Sequence, residues 1–234
     1  IRRTFLDIHI AQLQNDYLEL LSNYQRTIAQ KNACLKRMED PEPFDVLLVR
    51  TGSQIMARRG LFIDQIQPMS AQKYSALSGG DALDICYRPS AANWHVGATA
   101  DDMHNQFNQK LTTSREREKI MQVALVGPHR DDVDIEIGGQ AARTFASQGE
   151  WRTAAVALKL AVYDLLKIAR GTPPLLLLDE VFAELDNSRS AALIDAFADF
   201  GQLFLTTAVE PPEQLLSSAR KFRLDHGQLV EVSL

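Results

Sequence analysis

Residues 145–186 read FASQGEWRTAAVALKLAVYDLLKIARGTPPLLLLDEVFAELD, and this stretch decides the fold of the chain. The polar turn Ser147–Glu150 predicts the start of a long and largely apolar helix. Gly171, Pro173 and Pro174 predict its end. The run Leu175–Leu178 follows two prolines and is too short for a helix, so it is typical of a strand buried on both faces of a parallel sheet.

The two ends of this stretch carry residues suited to phosphate chemistry. A helix N-terminus exposes unpaired N–H groups and a partial positive charge, so the turn that contains Ser147 and Gly149 is able to receive a phosphate. Asp179 and Glu180 follow a buried parallel strand, at the edge where open α/β sheets bind ligands. There Asp179 is expected to hold Mg²⁺ through water, and Glu180 to orient or deprotonate an attacking water.

Three motifs, the last of which contains the turn Glu184-Leu185-Asp186, resemble a known class of protein. SQGE before a long helix, LLLLDE and AELD are similar to the signature motif, the Walker B motif and the D-loop of the ABC-type ATPases of DNA repair and chromosome maintenance. Two further stretches, Gly127–Asp132 (GPHRDD) and Arg2–Asp7 (RRTFLD), narrow the resemblance to the RecF family of bacterial recombination mediators. The resemblance covers most of the chain and is tightest over residues 125–207.

The resemblance implies an α/β fold, the ABC-type ATPase head, with an inserted helical arm domain. It places a mainly helical arm domain at residues 1–120 and the C-terminal part of the head at residues 121–234. It implies that Asp179 and Glu180 serve hydrolysis, and that the signature and D-loop contact the nucleotide of a second head. The nucleotide-contacting residues implied in this way are Ser147, Gln148, Gly149, Glu150, Asp186, Thr206 and Thr207. In many ABC ATPases a histidine that contacts the γ-phosphate stands where this chain has Thr206 and Thr207.

The family also implies cofactors and partners. These are ATP and Mg²⁺, an ATP-dependent homodimer, double-stranded DNA near single-strand gaps, and RecR, with which such proteins help to load RecA. Hydrolysis is expected to be slow. The phosphate-binding loop GxxxxGK[ST] is absent from the sequence, and the family carries that loop near the N-terminus. The chain, which begins at Ile1, is therefore expected to correspond to the C-terminal two-thirds of such a protein and to be inactive alone.

One departure from the family pattern lies at the end of the signature motif, and other functions stay open. The signature ends in Glu150-Trp151, where the family commonly has glutamine and a polar residue, and glutamate there resembles SMC-type heads. A different ABC-type ATPase, either an SMC-like head or a transporter subunit, is one alternative. A non-catalytic module that binds DNA or a partner protein is another.

The composition limits the functions that are compatible with the chain. The chain has 234 residues, of which 45% are hydrophobic and 24% charged, with a net charge of −5. It contains no apolar run of the roughly 20 residues that a membrane span needs, so no membrane partner is predicted. Cys34 and Cys86 lack any pairing pattern, which favours a reducing cytoplasm. Residues 1–60 hold 9 Lys and Arg against 7 Asp and Glu, a bias compatible with a phosphate-contacting patch or with an ordinary solvated face. No histidine has metal-ligand spacing.

The remaining patterns predict helices and short strands. Helices are predicted for residues 1–40, from Asp45 to Gln67 with Pro68 as the stop, from a Thr99–Asp102 capping box to Lys119, and from Arg189 to Phe200. Strands are predicted at Leu83–Tyr87, Leu125–Gly127, Val133–Ile137, Gln140–Phe145 and Gln202–Thr206, the last of them buried, with a final hairpin over Lys221–Val232. Leu77–Asp81 (LSGGD) imitates a signature motif, but a strand-like run follows it, so a turn is predicted. Within GPHRDD, Arg130 beside two aspartates indicates either an ion-pair cluster or a role near the nucleotide.

Overall fold

The computed structural model describes residues 2–182, 185–197, 200–208, 213–216 and 219–232. The α-helices are α1 (Arg2–Leu13), α2 (Tyr17–Lys36), α3 (Glu42–Ser78), α4 (Ala100–Met121), α5 (Ala142–Phe145), α6 (Gln148–Arg170), α7 (Asn187–Phe197) and α8 (Glu213–Leu216). The strands are β1 (Leu83–Arg88), β2 (Asp132–Ile137), β3 (Gln140–Ala141), β4 (Leu175–Asp179), β5 (Gln202–Thr206), β6 (Lys221–Asp225) and β7 (Gln228–Val232).

The strands form three small sheets. Strands β1, β2 and β3 form an antiparallel sheet, in which Ile85 pairs with Ile135. Strands β4 and β5 are parallel and are connected through α7, so their carboxyl ends lie at the same edge. Strands β6 and β7 form the predicted antiparallel hairpin around His226-Gly227. LSGGD covers the last two residues of α3 and the turn at Gly79 that leads into β1, so the predicted turn before a strand is confirmed.

Helix α3 is the longest element and packs against α2, α4 and α6. The prediction that Pro68 ends it is wrong, because the helix continues to Ser78. Proline removes one backbone hydrogen bond and costs about 3 kcal/mol in a helix interior. Ile66, Ser70, Tyr74 and Leu77 are buried on both sides of that position, and this packing outweighs the cost. The helix ends where Gly79 adopts the left-handed conformation (φ 82°).

Two strand predictions in the middle of the chain are wrong. Leu125–Gly127 is not a strand, and Gly127 instead precedes a 3₁₀ turn at Pro128–Arg130. Gly127 has φ 124°, and a Cβ there would lie 2.5 Å from the Tyr24 hydroxyl, so close packing fixes this bend. In the hairpin after β2 only Gln140–Ala141 pairs, and the chain then turns into α5.

The strand that ends in Asp179 is covered on one face only. The side chain of Leu176 is 8% exposed, whereas Leu175 and Leu177 are 51% and 68% exposed, and Phe204 on β5 is 52% exposed. The prediction of strands buried on both faces is therefore wrong for β4 and β5 in this chain. Alternate side chains of a strand point to opposite faces, and none of the described elements covers the second face.

The aspartates of GPHRDD pair with residues that are distant in sequence. Asp131 is fully buried and accepts a hydrogen bond from the Arg59 guanidinium (Nη1 to Oδ2, 3.0 Å). Asp132 pairs with Arg2 (2.6 Å). Arg130 instead lies near the carbonyl oxygen of Ala124 (3.4 Å). The ion-pair reading of the motif is thus confirmed for the aspartates, while the expected role of Arg130 as their cation is wrong.

His129 of the same motif predicts a pH dependence of stability. Its ring lies between the Tyr24 hydroxyl (2.7 Å from Nδ1) and the carbonyl oxygen of Ala124 (3.2 Å from Nε2). The pKa of His129 is lowered to about 4, mainly by burial and in smaller part by the nearby Arg130 charge. Between that value and about 6.5 the unfolded chain binds more protons than the folded chain, so acidification favours unfolding.

We therefore expect the free energy of unfolding to fall by about 2 kcal/mol between pH 7 and pH 5 relative to a His129→Gln variant. Urea unfolding of both proteins at each pH measures this difference. Equal pH dependence of the two proteins would show that His129 titrates normally in the folded chain.

The buried apolar side chains form one cluster, which runs from Leu6 to Leu193. It includes residues of both predicted domains, because α3 packs against α6. The division of the chain near residue 120 stays a prediction. Within the described residues, no helix combines the length and the apolarity needed to cross a membrane.

Candidate functional site

The first group of predicted site residues surrounds the N-terminus of α6. Ser147 is the N-cap residue, and its hydroxyl accepts a hydrogen bond from the Glu150 N–H (3.3 Å). The Glu150 carboxylate accepts in return from the Ser147 backbone N–H (2.7 Å). This reciprocal capping box lowers the pKa of Glu150, since the Ser147 hydroxyl and backbone N–H both donate to the carboxylate. The Glu150 side chain therefore points back toward Ser147. Gln148 is the first residue of the helix.

Arg189 connects the predicted D-loop, which contains Asp186, to the signature turn at the start of α6. The Asp186 carboxylate accepts from the Arg189 backbone N–H (2.8 Å), at the start of α7. The Arg189 guanidinium then extends across to the signature turn, where a Cβ placed on Gly149 would lie 2.8 Å from its Nη1. A glycine in this turn would let a ligand approach the backbone, and in this structure the Arg189 guanidinium lies on the side of Gly149 where a Cβ would stand.

The second group lies at the carboxyl ends of β4 and β5. Asp179 and Thr206 are opposite each other in the parallel register, and the Thr206 hydroxyl donates a short hydrogen bond to Asp179 Oδ1. Glu180 has φ 51°, and its backbone N–H donates to the carbonyl oxygen of Thr206 (3.0 Å). Its Oε1 accepts from the Ala208 N–H (2.7 Å). Both carboxylates are therefore oriented by β5 and the residues that follow it.

This arrangement leaves a carboxylate oxygen available to bind a cation. Asp179 is exposed, and its second oxygen, Oδ2, has no hydrogen-bond partner among the described residues. A hard cation such as Mg²⁺ prefers such oxygens, and it usually keeps several waters beside one or two carboxylates. The described residues contain no cluster of three or more His, Cys, Asp or Glu side chains that would hold a metal by themselves. A single carboxylate that acts through water fits this donor set.

The predicted site residues therefore fall into two groups. Asp179, Glu180 and Thr206 form one, and the signature turn with Asp186 forms the other; Thr207 directly follows β5. Glu184 of the predicted D-loop lies outside the described residues. Sequence reasoning missed Arg189. The sequence could have indicated it, because Arg189 follows Asp186 by three residues and begins the predicted helix after the D-loop.

Solved structures with the same fold identify the class of protein. The recombination mediator protein RecF, solved as RecF-ATP in the RecFOR pathway, superimposes with a TM-score of 0.83 at 28% identity, over 99% of this chain and 62% of that chain. A second structure, described as RecF-ATPrS, gives 0.84 at 27% identity, over 99% and 63%. This likeness confirms the predicted fold class, an α/β head of the ABC type with a helical arm.

Sequence relatives then identify the family. The DNA replication and repair protein RecF of Synechococcus sp. (strain JA-3-3Ab) is 38% identical over 215 residues, which are 88% of this chain and 57% of the relative. RecF of Staphylococcus carnosus (strain TM300) is 33% identical over 244 residues, which are 99% of this chain and 65% of the relative. The chain belongs to the RecF family. It spans 57–65% of the length of these two relatives, and no protein-family profile matches it.

Proposed function

We propose that the whole protein is a DNA-binding ATPase of recombinational repair. In this proposal, two heads close on each other with ATP and Mg²⁺ between them, bind double-stranded DNA near single-strand gaps in the cytoplasm, and act with RecR to promote RecA loading. The observation that carries the proposal is the pair of residue groups described above. A capped helix N-terminus faces the D-loop, and an Asp-Glu pair lies at the carboxyl ends of two parallel strands.

Each group has its own chemical task in the proposal. The Glu180 carboxylate keeps one oxygen on the Ala208 N–H, so the other oxygen is available to orient a water or take its proton. Asp179 would hold Mg²⁺ through water, and the ion supplies charge neutralisation at the transferred phosphate. Ser147 would turn its hydroxyl from the Glu150 carboxylate to the nucleotide of the opposing head, to which the first turn of α6 also offers N–H groups. Hydrolysis then reopens the two heads.

The chain alone is expected not to hydrolyse ATP. No GxxxxGK[ST] loop occurs in the 234 residues, and that loop is the usual cradle for the β- and γ-phosphates. The activity therefore belongs to the whole protein in this proposal, and the ATP-dependent experiments use the whole protein.

Sedimentation velocity with Mg-ATP tests the proposal directly. We expect the wild type to sediment as a dimer with Mg-ATP and as a monomer with Mg-ADP. Ser147→Arg is expected to abolish the dimer, because a long cationic side chain at the N-terminus of α6 blocks the nucleotide of the opposing head.

Ser147→Ala is the matched control for that variant. It removes the cap hydroxyl and costs about 1 kcal/mol of stability, but it adds no bulk, so it should weaken dimerisation much less than Ser147→Arg does. A wild type that stays monomeric with ATP would overturn the proposed function. A Ser147→Arg variant that dimerises normally would remove the signature turn from the dimer contact.

A further inference from the structure

Arg189 has hydrogen-bonding capacity that the described structure does not use. Its backbone N–H caps onto Asp186, but the closest carboxylate contact of its guanidinium is 3.6 Å, from Nε to Asp186 Oδ2. Among the described residues no acceptor takes a hydrogen bond from its side chain. The side chain is only 20% exposed, so the position of the guanidinium is restricted by its surroundings. A planar cation with several N–H donors held in this way is suited to a planar or tetrahedral anion.

The position of this guanidinium coincides with the start of α6. Nη1 lies over Gly149, on the side where any other residue would carry its Cβ. The helix N-terminus contributes further N–H donors and a partial positive charge at the same place. The neighbouring carboxylate, Glu150, is already occupied by the Ser147 cap, so it does not compete strongly for the arginine.

A buried hydroxyl on α3, on which the charges of Glu150 and Arg189 act, gives a second indication. Tyr74, near the end of α3, is fully buried, and its hydroxyl has no hydrogen-bond partner among the described residues. Burial raises the pKa of Tyr74, and the charges of Glu150 and Arg189 both act on it. The Arg189 guanidinium and the Tyr74 hydroxyl therefore both lack a hydrogen-bond acceptor or donor among the described residues, as expected beside a site that is completed by a ligand.

We propose that Arg189 is a phosphate-contacting residue of the signature site, donating from its guanidinium to the terminal phosphate of the nucleotide held by the opposing head. The proposal rests on the proposed function, because that function supplies the nucleotide. The proposal also explains Gly149 without a ligand that approaches its backbone. Glycine is needed there because the Arg189 guanidinium occupies the place of a side chain.

Arg189→Ala in the whole protein tests the assignment. Hydrogen bonds to charged groups justify an expected loss of roughly 10- to 100-fold in the ATP-dependent dimerisation constant. The affinity of the separate heads for a fluorescent ATP analogue should not change, since Arg189 serves the opposing nucleotide. Arg189→Lys keeps the charge without the fork of donors and should recover part of the loss.

Arg170→Ala is the matched control. It removes the same charge at the other end of α6, about 33 Å along the helix axis, where Arg170 donates to the carbonyl oxygen of Gln12. If the wild type dimerises and Arg189→Ala dimerises as well as Arg170→Ala, the proposal is overturned while the proposed function stands. If the wild type itself does not dimerise with Mg-ATP, the proposed function fails first.

The Gly149→Ala variant tests whether Arg189 acts through contact with phosphate or only by packing against Gly149. Its new methyl group would displace the guanidinium of Arg189 without removing the charge. We expect Gly149→Ala to weaken dimerisation, and the double variant Gly149→Ala, Arg189→Ala to be no weaker than Arg189→Ala alone, because both changes remove one interaction. Losses that add would mean that the two residues act separately, and would overturn the proposal. Reduced binding of the ATP analogue by separate Arg189→Ala heads would do the same.

Discussion

Glu180→Gln should slow ATP hydrolysis by the whole protein by roughly 10²- to 10⁴-fold, the range for loss of a general base. The substitution is nearly isosteric, and the glutamine oxygen can still accept from the Ala208 N–H, which Glu180 Oε1 contacts at 2.7 Å. The geometry at the ends of β4 and β5 is therefore retained while the negative charge and the basicity are lost. Because ATP is bound but not cleaved, the closed dimer should accumulate.

Two measurements check this result together. Phosphate release gives the hydrolysis rate, and sedimentation velocity with Mg-ATP gives the dimer fraction. Glu116→Gln makes the same chemical change on α4, where the side chain is 81% exposed, and should behave as the wild type in both assays. Hydrolysis at the normal rate by Glu180→Gln would mean that this carboxylate is not the base.

Arg59 holds together a buried ion-pair network, and Arg59→Met should lower the free energy of unfolding by about 3–5 kcal/mol. The Arg59 side chain is 3% exposed and pairs with Asp7 (2.9 Å) and Asp131 (3.0 Å). It also donates to the carbonyl oxygen of Pro128 (2.7 Å). Methionine fills similar space but leaves the buried carboxylate of Asp131 without its cation, and an uncompensated buried charge is costly.

The preceding residue provides a control for this substitution. Arg58 pairs with Asp16 (2.6 Å), whose side chain is 66% exposed, so Arg58→Met should cost less than about 1 kcal/mol. Urea unfolding of both variants, followed by circular dichroism, compares the two costs. Equal and small losses would show that the Arg59 network contributes little to the fold.

Elements defined by neighbouring residues could be predicted well. The Thr99–Asp102 capping box, the α6 start at Ser147 and the hairpin at His226-Gly227 were all predicted. Each depends on contacts between residues two to four positions apart, where residue type and spacing decide the hydrogen bonds. The order of these elements also indicated the family, which the RecF relatives confirm.

Predictions failed where packing between distant segments competes with local preference. Pro68 is a helix breaker by local rules, yet the helix continues through it because buried side chains on either side hold α3 in place. The partners of the GPHRDD aspartates could not be inferred from the motif, since Arg59 lies 72 residues from Asp131 and Arg2 lies 130 residues from Asp132.

The sequence by itself determined the capped helix, the strand that ends in Asp179-Glu180 and the following turn, and with them the candidate chemistry. Only the tertiary structure decided which side chain lies over Gly149 and which oxygens of Asp179 and Glu180 are already engaged. The physical reason is distance along the chain. Capping and periodicity act within about one helical turn, whereas the contacts of Arg189 with Gly149 and of Thr206 with Asp179 form only after α6, β4, α7 and β5 have packed.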